Sequence, residues 1–337
     1  MKKIILCMVL IAIMSIGAFS GGTKEQEKGV ASPAAERFYE FKLGHLAPTN
    51  DPRHIALEKF AYAVADGTKG RIKITIYPSS TLGSERELFE QVKGGITEFA
   101  LIGSVVGNFV PEYAIMDLPY LWKSQDHLRR VISGPIGKEW ENKMKQQFNV
   151  ALLGFFDRNP RILTNTKRPI RSISDLAGMK VRVPEIKMHM DTWRAFGVQP
   201  TPMPASEFYM GLKVGVIDAM ENPVEVMYAW KIYEVSKYLS LTEHVRSALY
   251  FIYSYQKIST LPASDIKIIT EAAKAAEEWH NKEVISQAAG LFEKLKEYGM
   301  IINEVDKSGF IEASKKIHQE YIKVIGEETY NKIVSMN

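Results

Sequence analysis

The sequence predicts an α/β fold built as two domains, and three observations carry that prediction. Short apolar strands alternate with amphipathic helices from Phe38 onward, several of the strands are apolar on both faces, and the alternation restarts after residue 160. A chain of 337 residues, 46% hydrophobic and 24% charged, has globular composition and is long enough for two cores.

The first half opens with the strand "FKLGHL" (41–46) and an amphipathic helix from His54 to Val64. In "RIKITIYP" (71–78), Ile72, Ile74 and Ile76 fall on one face, the period of a half-buried strand. "ERELFEQVKGG" (85–95) reads as a helix, and "FALIGS" (99–104) and "VALLGFF" (150–156) as nearly all-apolar strands. Such strands separated by helices predict a mostly parallel sheet covered on both sides. The restart comprises "RILTN" (161–165), "KVRV" (180–183) and "KYLSLT" (237–242). The aromatic and β-branched "LYFIYSYQKI" (249–258) predicts a further strand. From Asp265 to Tyr298 apolar residues keep helical spacing over about 50 Å, with Ser264 placed as its N-cap. One spine along both domains and two helices broken near Asn281 fit that pattern equally.

The N-terminus carries a targeting signal. "MKK" is a positive n-region, "IILCMVLIAIMSI" an apolar h-region, and Ala18-Phe19-Ser20 a small-x-small cleavage site. Residues 1–20 are therefore expected to be a signal peptide, since the apolar run is well short of the roughly 20 residues that span a bilayer. The only cysteine, Cys7, lies inside it, so the mature chain is expected to lack disulfides and thiolate chemistry. Gly21 and Gly22 stand where a lipoprotein would need cysteine. Residues 21–36 are small and polar, the composition of a flexible tether. The expected location is the periplasm. A net charge of +4 without basic runs gives no nucleic-acid surface.

The common catalytic signatures are missing: HExxH, a Walker loop, a GxSxG elbow and a dinucleotide fingerprint. Histidines at 45, 54, 127, 189, 244, 280 and 318 show no metal-ligand spacing. No catalytic residue, metal or cofactor is expected. What stands out is polar residues at strand ends: Arg182 in "GMKVRVP", Arg161 in "NPRILTN" and Asn222 in "GVIDAMENP". Taken singly, each has a plain reading: a water-facing strand residue, an exposed strand start and an Asn-Pro turn.

Read together, these segments resemble the solute receptors of TRAP transporters, the DctP family of dicarboxylate- and sialic-acid-binding proteins. The resemblance runs from "LGHLAPTNDPRH" (43–54) through "GRIKITIYPSSTLGSERELFEQVKGG" (70–95). Its most specific parts are "LTNTKRPIRSISDLAGMKVRVP" (163–184) and "FGVQPTPMPASEFYMGLKVGVIDAMENP" (196–223), followed by "YEVSKYLSLTEH" (233–244). It implies a periplasmic-binding-protein-like fold, two α/β domains around a ligand cleft, with crossing strands and a long domain-spanning helix. The domains would be 37–160 plus about 248–287, and 161–247 plus about 288–337. They would move as rigid bodies about a hinge near residues 160, 247 and the middle of the long helix.

The same resemblance implies that Arg182 bridges to a ligand carboxylate, with Arg161 and Asn222 as further contacts. A guanidinium fork suits a carboxylate in two parallel hydrogen bonds and keeps its charge. His45, Glu85, Ser104 and Tyr209 fall in segments that line the cleft in relatives, and Glu185 stands close to Arg182 as an acceptor for ligand hydroxyls or as a cap. Two departures bear on the ligand: Ala205 replaces a bulky aromatic, and Ala219 replaces the glycine of "DGxENP". The implied function is a non-enzymatic, monomeric receptor that carries a small organic acid to large and small TRAP permease subunits. A sugar acid such as a uronate competes with a C4-dicarboxylate or keto acid, and Ala205 favours the sugar acid. Two rivals stand beside this reading: a periplasmic enzyme using His45 or Glu185 on sugar acids, and a sensory or adhesive receptor.

Overall fold

The computed structural model describes residues 37–336. The expected signal peptide and tether lie outside them. The first half of the chain supplies β1 (Tyr39–His45), β2 (Ile72–Tyr77), β3 (Phe99–Ile102) and β4 (Val150–Asp157). Then come β5 (Arg161–Asn165), β6 (Val181–Val183), β7 (Pro200–Pro202), β8 (Ala219–Asn222) and β9 (Tyr238–Val245). The last strands are β10 (Ala248–Ser254) and β11 (Ile301–Asn303). They build two sheets, in the orders β2-β1-β3-β10-β4 and β11-β9-β5-β8-β6-β7.

Both sheets are mostly parallel, as expected, with one reversed strand in each, β10 in the first and β5 in the second. β1 pairs parallel with β2 and β3, but β10 runs antiparallel between β3 and β4. The reason is connectivity. The chain passes from the first sheet to the second between β4 and β5 over only residues 158–160, and returns between β9 and β10 over residues 246–247. β5 pairs antiparallel with β9, and β4 with β10, so one two-stranded ribbon runs through both sheets. Arg158 and Arg161 sit where that ribbon crosses.

The helices are α1 (Pro52–Gly67), α2 (Glu85–Lys93), α3 (Gln125–Ile132), α4 (Pro135–Phe148), α5 (Lys187–Ala195) and α6 (Phe208–Lys213). They continue with α7 (Val224–Ala229), α8 (Tyr255–Ile258), α9 (Ala263–Glu297), α10 (Ser308–Ile325) and α11 (Glu327–Ser335). The predicted strand 249–258 is therefore cut at Ser254, where the chain turns into α8. Ser264 is not the cap of the long helix either. Pro262, in extended backbone, holds the N-cap position, and Ser264 lies in the first turn.

α9 is one unbroken helix. Its Ala272, Ala273 and Ala276 pack with Phe60, Phe251 and Phe156 against the first sheet. About four to five turns further on, Leu291 and Leu295 join Phe208, Met220 and Met227 in the core of the second. Asn281 does not break it. Its Oδ1 accepts the backbone N–H of Asp157 (2.6 Å) and its Nδ2 donates to the Phe155 carbonyl (3.3 Å), pinning the helix to the end of β4. At the C-terminus, α10 reaches both cores: Phe310 packs beside Trp193 and Phe196, while Ile317 and Tyr321 join the core that contains Tyr250.

Candidate functional site

Between the two sheets lies a cavity to which both contribute side chains. From the first come Arg53, Glu85, Gly103, Ser104 and Asp117; from the crossing, Arg158 and Arg161; from the second, Arg182, His189, Ala205, Phe208, Asn222, Val226 and Trp230.

Local sequence places several of these directly. Ser84 caps α2 in a reciprocal capping box with Glu87, which sets Glu85 as the first helical residue at the cavity edge. Glu85 Oε1 then accepts the Gly103 N–H at 2.7 Å. A β-carbon on Gly103 would stand 2.9 Å from that oxygen, so a side chain there would push the Glu85 carboxylate out of this position. Pro223 follows Asn222, the last residue of β8, and starts α7, which carries Val226 and Trp230 four residues apart into the cavity.

The buried charges resolve into paired and unpaired cations. Arg161 is neutralised: its Nε and Nη2 clasp the Glu221 carboxylate, with Nη2 2.7 Å from Oε1, and Nη2 also reaches the Glu221 carbonyl at 2.8 Å. Glu221 belongs to a longer chain. His189 Nδ1 lies 3.4 Å from its Oε1, His189 Nε2 is 2.7 Å from Asp117 Oδ2, and Ser104 donates to Asp117 Oδ1 at 2.7 Å. Burial alone would raise the Glu221 pKa, but Arg161 and His189 hold it well below the usual carboxylate range. Burial would likewise lower His189, yet Asp117 and Glu221 on its two nitrogens raise it. Arg53 is paired with Asp51, its Nε 2.7 Å from Oδ1.

Arg182 and Arg158 differ from these. Among the described residues neither forms an ion pair. Arg182 Nε donates to the Met203 carbonyl (2.9 Å), and its guanidinium lies 5.1 Å from the Phe208 ring centroid. Arg158 Nη2 donates to Asn222 Oδ1 at 2.9 Å. Because arginine offers only donors, that bond orients the Asn222 amide and leaves its NH₂ group for another acceptor. Burial lowers both arginines to about 10, helped in Arg158 by Arg161 and Arg53. Both remain charged at neutral pH.

The structure thus brings Arg182, Arg161, Asn222, Glu85 and Ser104 into one cavity, and leaves three anticipated residues elsewhere. His45 is buried, its Nε2 3.0 Å from His54 Nδ1, and does not line the cavity. Glu185 is exposed and stands on an adjoining recess, where its carbonyl accepts Asn108 Nδ2. Tyr209 donates outside the cavity to Glu234 Oε2 at 2.7 Å. Sequence reasoning missed Arg158, His189 and Trp230. The four-residue spacing of Val226 and Trp230 along α7 was the available signal for the last.

Two lobes joined by crossing strands and a shared long helix define the periplasmic-binding class of solute receptors. Residues 43–324 match the model of the bacterial extracellular solute-binding protein family 7, DctP, and the chain belongs to that family of TRAP solute-binding proteins. It is 35% identical over 285 residues to the solute-binding protein RD1_1052 of Roseobacter denitrificans, covering 85% of this chain and 87% of the relative. The solved structure of that relative, with bound L-galactonate, superposes with a TM-score of 0.83 at 33% identity over 90% of this chain and 99% of the other. A TRAP periplasmic solute-binding protein from Polaromonas, bound to D-erythronate, gives 0.84 at 35% identity over 88% and 99%. Family members are receptors and not enzymes, which removes the rival that used His45 or Glu185 as acid–base groups.

Proposed function

We propose that this protein is the extracytoplasmic receptor of a TRAP transporter and that it captures a sugar acid carrying one carboxylate. The observation that carries this reading is the pair of buried cations without carboxylate partners, Arg182 and Arg158, facing a cavity that also holds Glu85. The carboxylate of the guest would lie on Arg182 with the free NH₂ of Asn222 beside it, and Arg158 would add positive potential. Arg161 serves mainly as the partner of Glu221. Glu85 argues against a dicarboxylate: its side chain in the cavity disfavours a second carboxylate beside it and accepts hydroxyls well. The L-galactonate and D-erythronate bound by two relatives have this chemistry, one carboxylate and a row of hydroxyls.

In this reading residues 1–20 direct export to the periplasm and 21–36 tether the folded part. The lobes, divided at about residues 160 and 247, close over the guest by bending at the ribbon crossing. Two side-chain contacts reach across the cleft rims and would hold the closed form: Asn50 Nδ2 to the Ala229 carbonyl (3.3 Å) and Asn108 Nδ2 to the Glu185 carbonyl (2.8 Å). The closed form then docks on the large and small permease subunits.

The test is a thermal-shift and calorimetric panel of L-galactonate, D-erythronate, D-glucuronate and succinate. A guest that binds only the folded state raises the melting temperature. Binding of one of the hydroxylated monocarboxylates in preference to succinate is expected. Preference for succinate would overturn the sugar-acid assignment, and silence across the panel would overturn the receptor reading for these acids.

A further inference from the structure

Trp230 lines the cavity from the C-terminal end of α7, and it also walls the recess outside formed with Pro48, Asn50 and Ser80. It therefore stands between the interior and the cleft mouth. Its ring stacks on Phe208, centroids 4.9 Å apart and planes inclined by 28°. Phe208 in turn lies under the Arg182 guanidinium. Arg182, Phe208 and Trp230 thus form one continuous wall. Ala205, small where an aromatic was expected, lines the same cavity and adds no ring of its own.

One atom of this wall lacks a partner. The Trp230 indole Nε1 is shut off from water and has no acceptor. A buried tryptophan N–H normally finds one, because an indole nitrogen can only donate and losing its water is costly. Neither neighbour in the cavity is bonded to the indole: Val226 is apolar, and Asn222 Oδ1 accepts from Arg158. The missing acceptor fits an oxygen of the guest. Asn222, placed at the carboxylate, closes β8, and Trp230 caps the far end of α7, so the six-residue helix, about 9 Å long, separates their backbones. An oxygen that meets Trp230 therefore belongs to the hydroxylated tail.

We propose that Trp230 is a specificity-determining contact whose indole N–H donates to a hydroxyl oxygen of the guest, away from its carboxylate. The assignment rests on the sugar-acid reading and deepens it: the site selects its guest by Trp230 and Glu85 at the tail as well as by Arg182 at the head. Glu85 accepts from hydroxyls and Trp230 donates to them, so a polyol chain satisfies both where an alkyl chain satisfies neither.

The test compares wild type with Trp230→Phe, which keeps the ring over Phe208 and deletes only the donor. D-glucuronate and D-erythronate are titrated by calorimetry, and butyrate by displacement. The variant is expected to bind the two hydroxylated acids about tenfold more weakly and butyrate as wild type does. The sequence has five tryptophans, so emission can be followed in both proteins. The change induced by D-glucuronate should be largely lost in the variant. Trp230→Tyr, which restores a donor near the same place, should recover part of the affinity and serves in its stead should the phenylalanine variant melt early. Equal losses for all three acids, or no loss for any, would overturn the assignment while leaving the receptor reading intact. Failure of wild type to bind any hydroxylated acid would overturn both.

Discussion

Arg161 and Glu221 form a fully buried, two-pronged ion pair between the neighbouring strands β5 and β8, and this relationship divides the cavity's arginines into two kinds. Removing one partner of a buried pair strands the other charge, at a cost of about 3–5 kcal/mol. Arg161→Ala should therefore lower the melting temperature by roughly 10 °C whatever it does to binding. Arg182 has no carboxylate to strand. Arg182→Ala should leave thermal stability equal to or above wild type, yet weaken capture of the guest by roughly two to three orders of magnitude. Calorimetry and melting curves on the two variants check this. Equal destabilisation by both, or unchanged affinity in Arg182→Ala, would contradict it.

Glu85 is the counterpart of these cations. Replacing it with glutamine keeps the bond from Gly103 N–H available and removes a negative charge from the cavity. Glu85→Gln should weaken binding of D-glucuronate about tenfold, the worth of a charge-assisted hydrogen bond, and improve binding of succinate. The ratio of the two dissociation constants is the quantity to measure. A variant with the wild-type ratio would show that Glu85 does not meet the guest.

Much of this architecture is legible in the chain. The periods of the strands, the capping box of α2 and the continuous apolar spacing of α9 are local signals. Arg182, whose guanidinium has no carboxylate partner among the described residues, lies where "KVRVP" ends a strand against a crevice. The one reversed strand in each sheet was not legible, because a strand's direction is decided by where the chain arrives from, here by two short crossings. Nor was the neutralisation of Arg161. Glu221 lies sixty residues away, and only the pairing of β5 with β8 brings the two together. His45 misled for the opposite reason: its segment approaches the cavity, but a neighbouring histidine takes its ring.

Asn281 offers a test of the spine. It holds the Asp157 N–H and the Phe155 carbonyl at the point where β4 leaves the first sheet. Asn281→Ala would leave a buried N–H without a partner, worth about 1–3 kcal/mol, and should cost several degrees of melting temperature. Amide hydrogen exchange at Asp157 should accelerate more than in the centre of β10. An unchanged exchange rate at Asp157 would mean that the clamp is dispensable.

His280, the neighbour of Asn281 on α9, gives the fold a measurable acid sensitivity. Burial pushes its pKa down to about 4, against the opposing hydrogen bond to Asn281 Oδ1 (3.2 Å). A folded-state pKa below the unfolded value means that the unfolded chain takes up the proton first. The stabilising contribution is therefore whole above pH 6.5 and is lost as pH falls toward 4, by about 3 kcal/mol in total. His45, lowered to about 3 by burial and by His54, adds to the same slope. Glu277, raised by burial to about 7, opposes it, so the informative quantity is a difference between proteins. His280→Gln keeps a side-chain donor and removes the titration. The melting temperature of wild type should exceed that of the variant at pH 7, and the gap should narrow steadily between pH 6.5 and 4. A gap that stays constant over that interval would show that His280 titrates alike in the folded and unfolded chains.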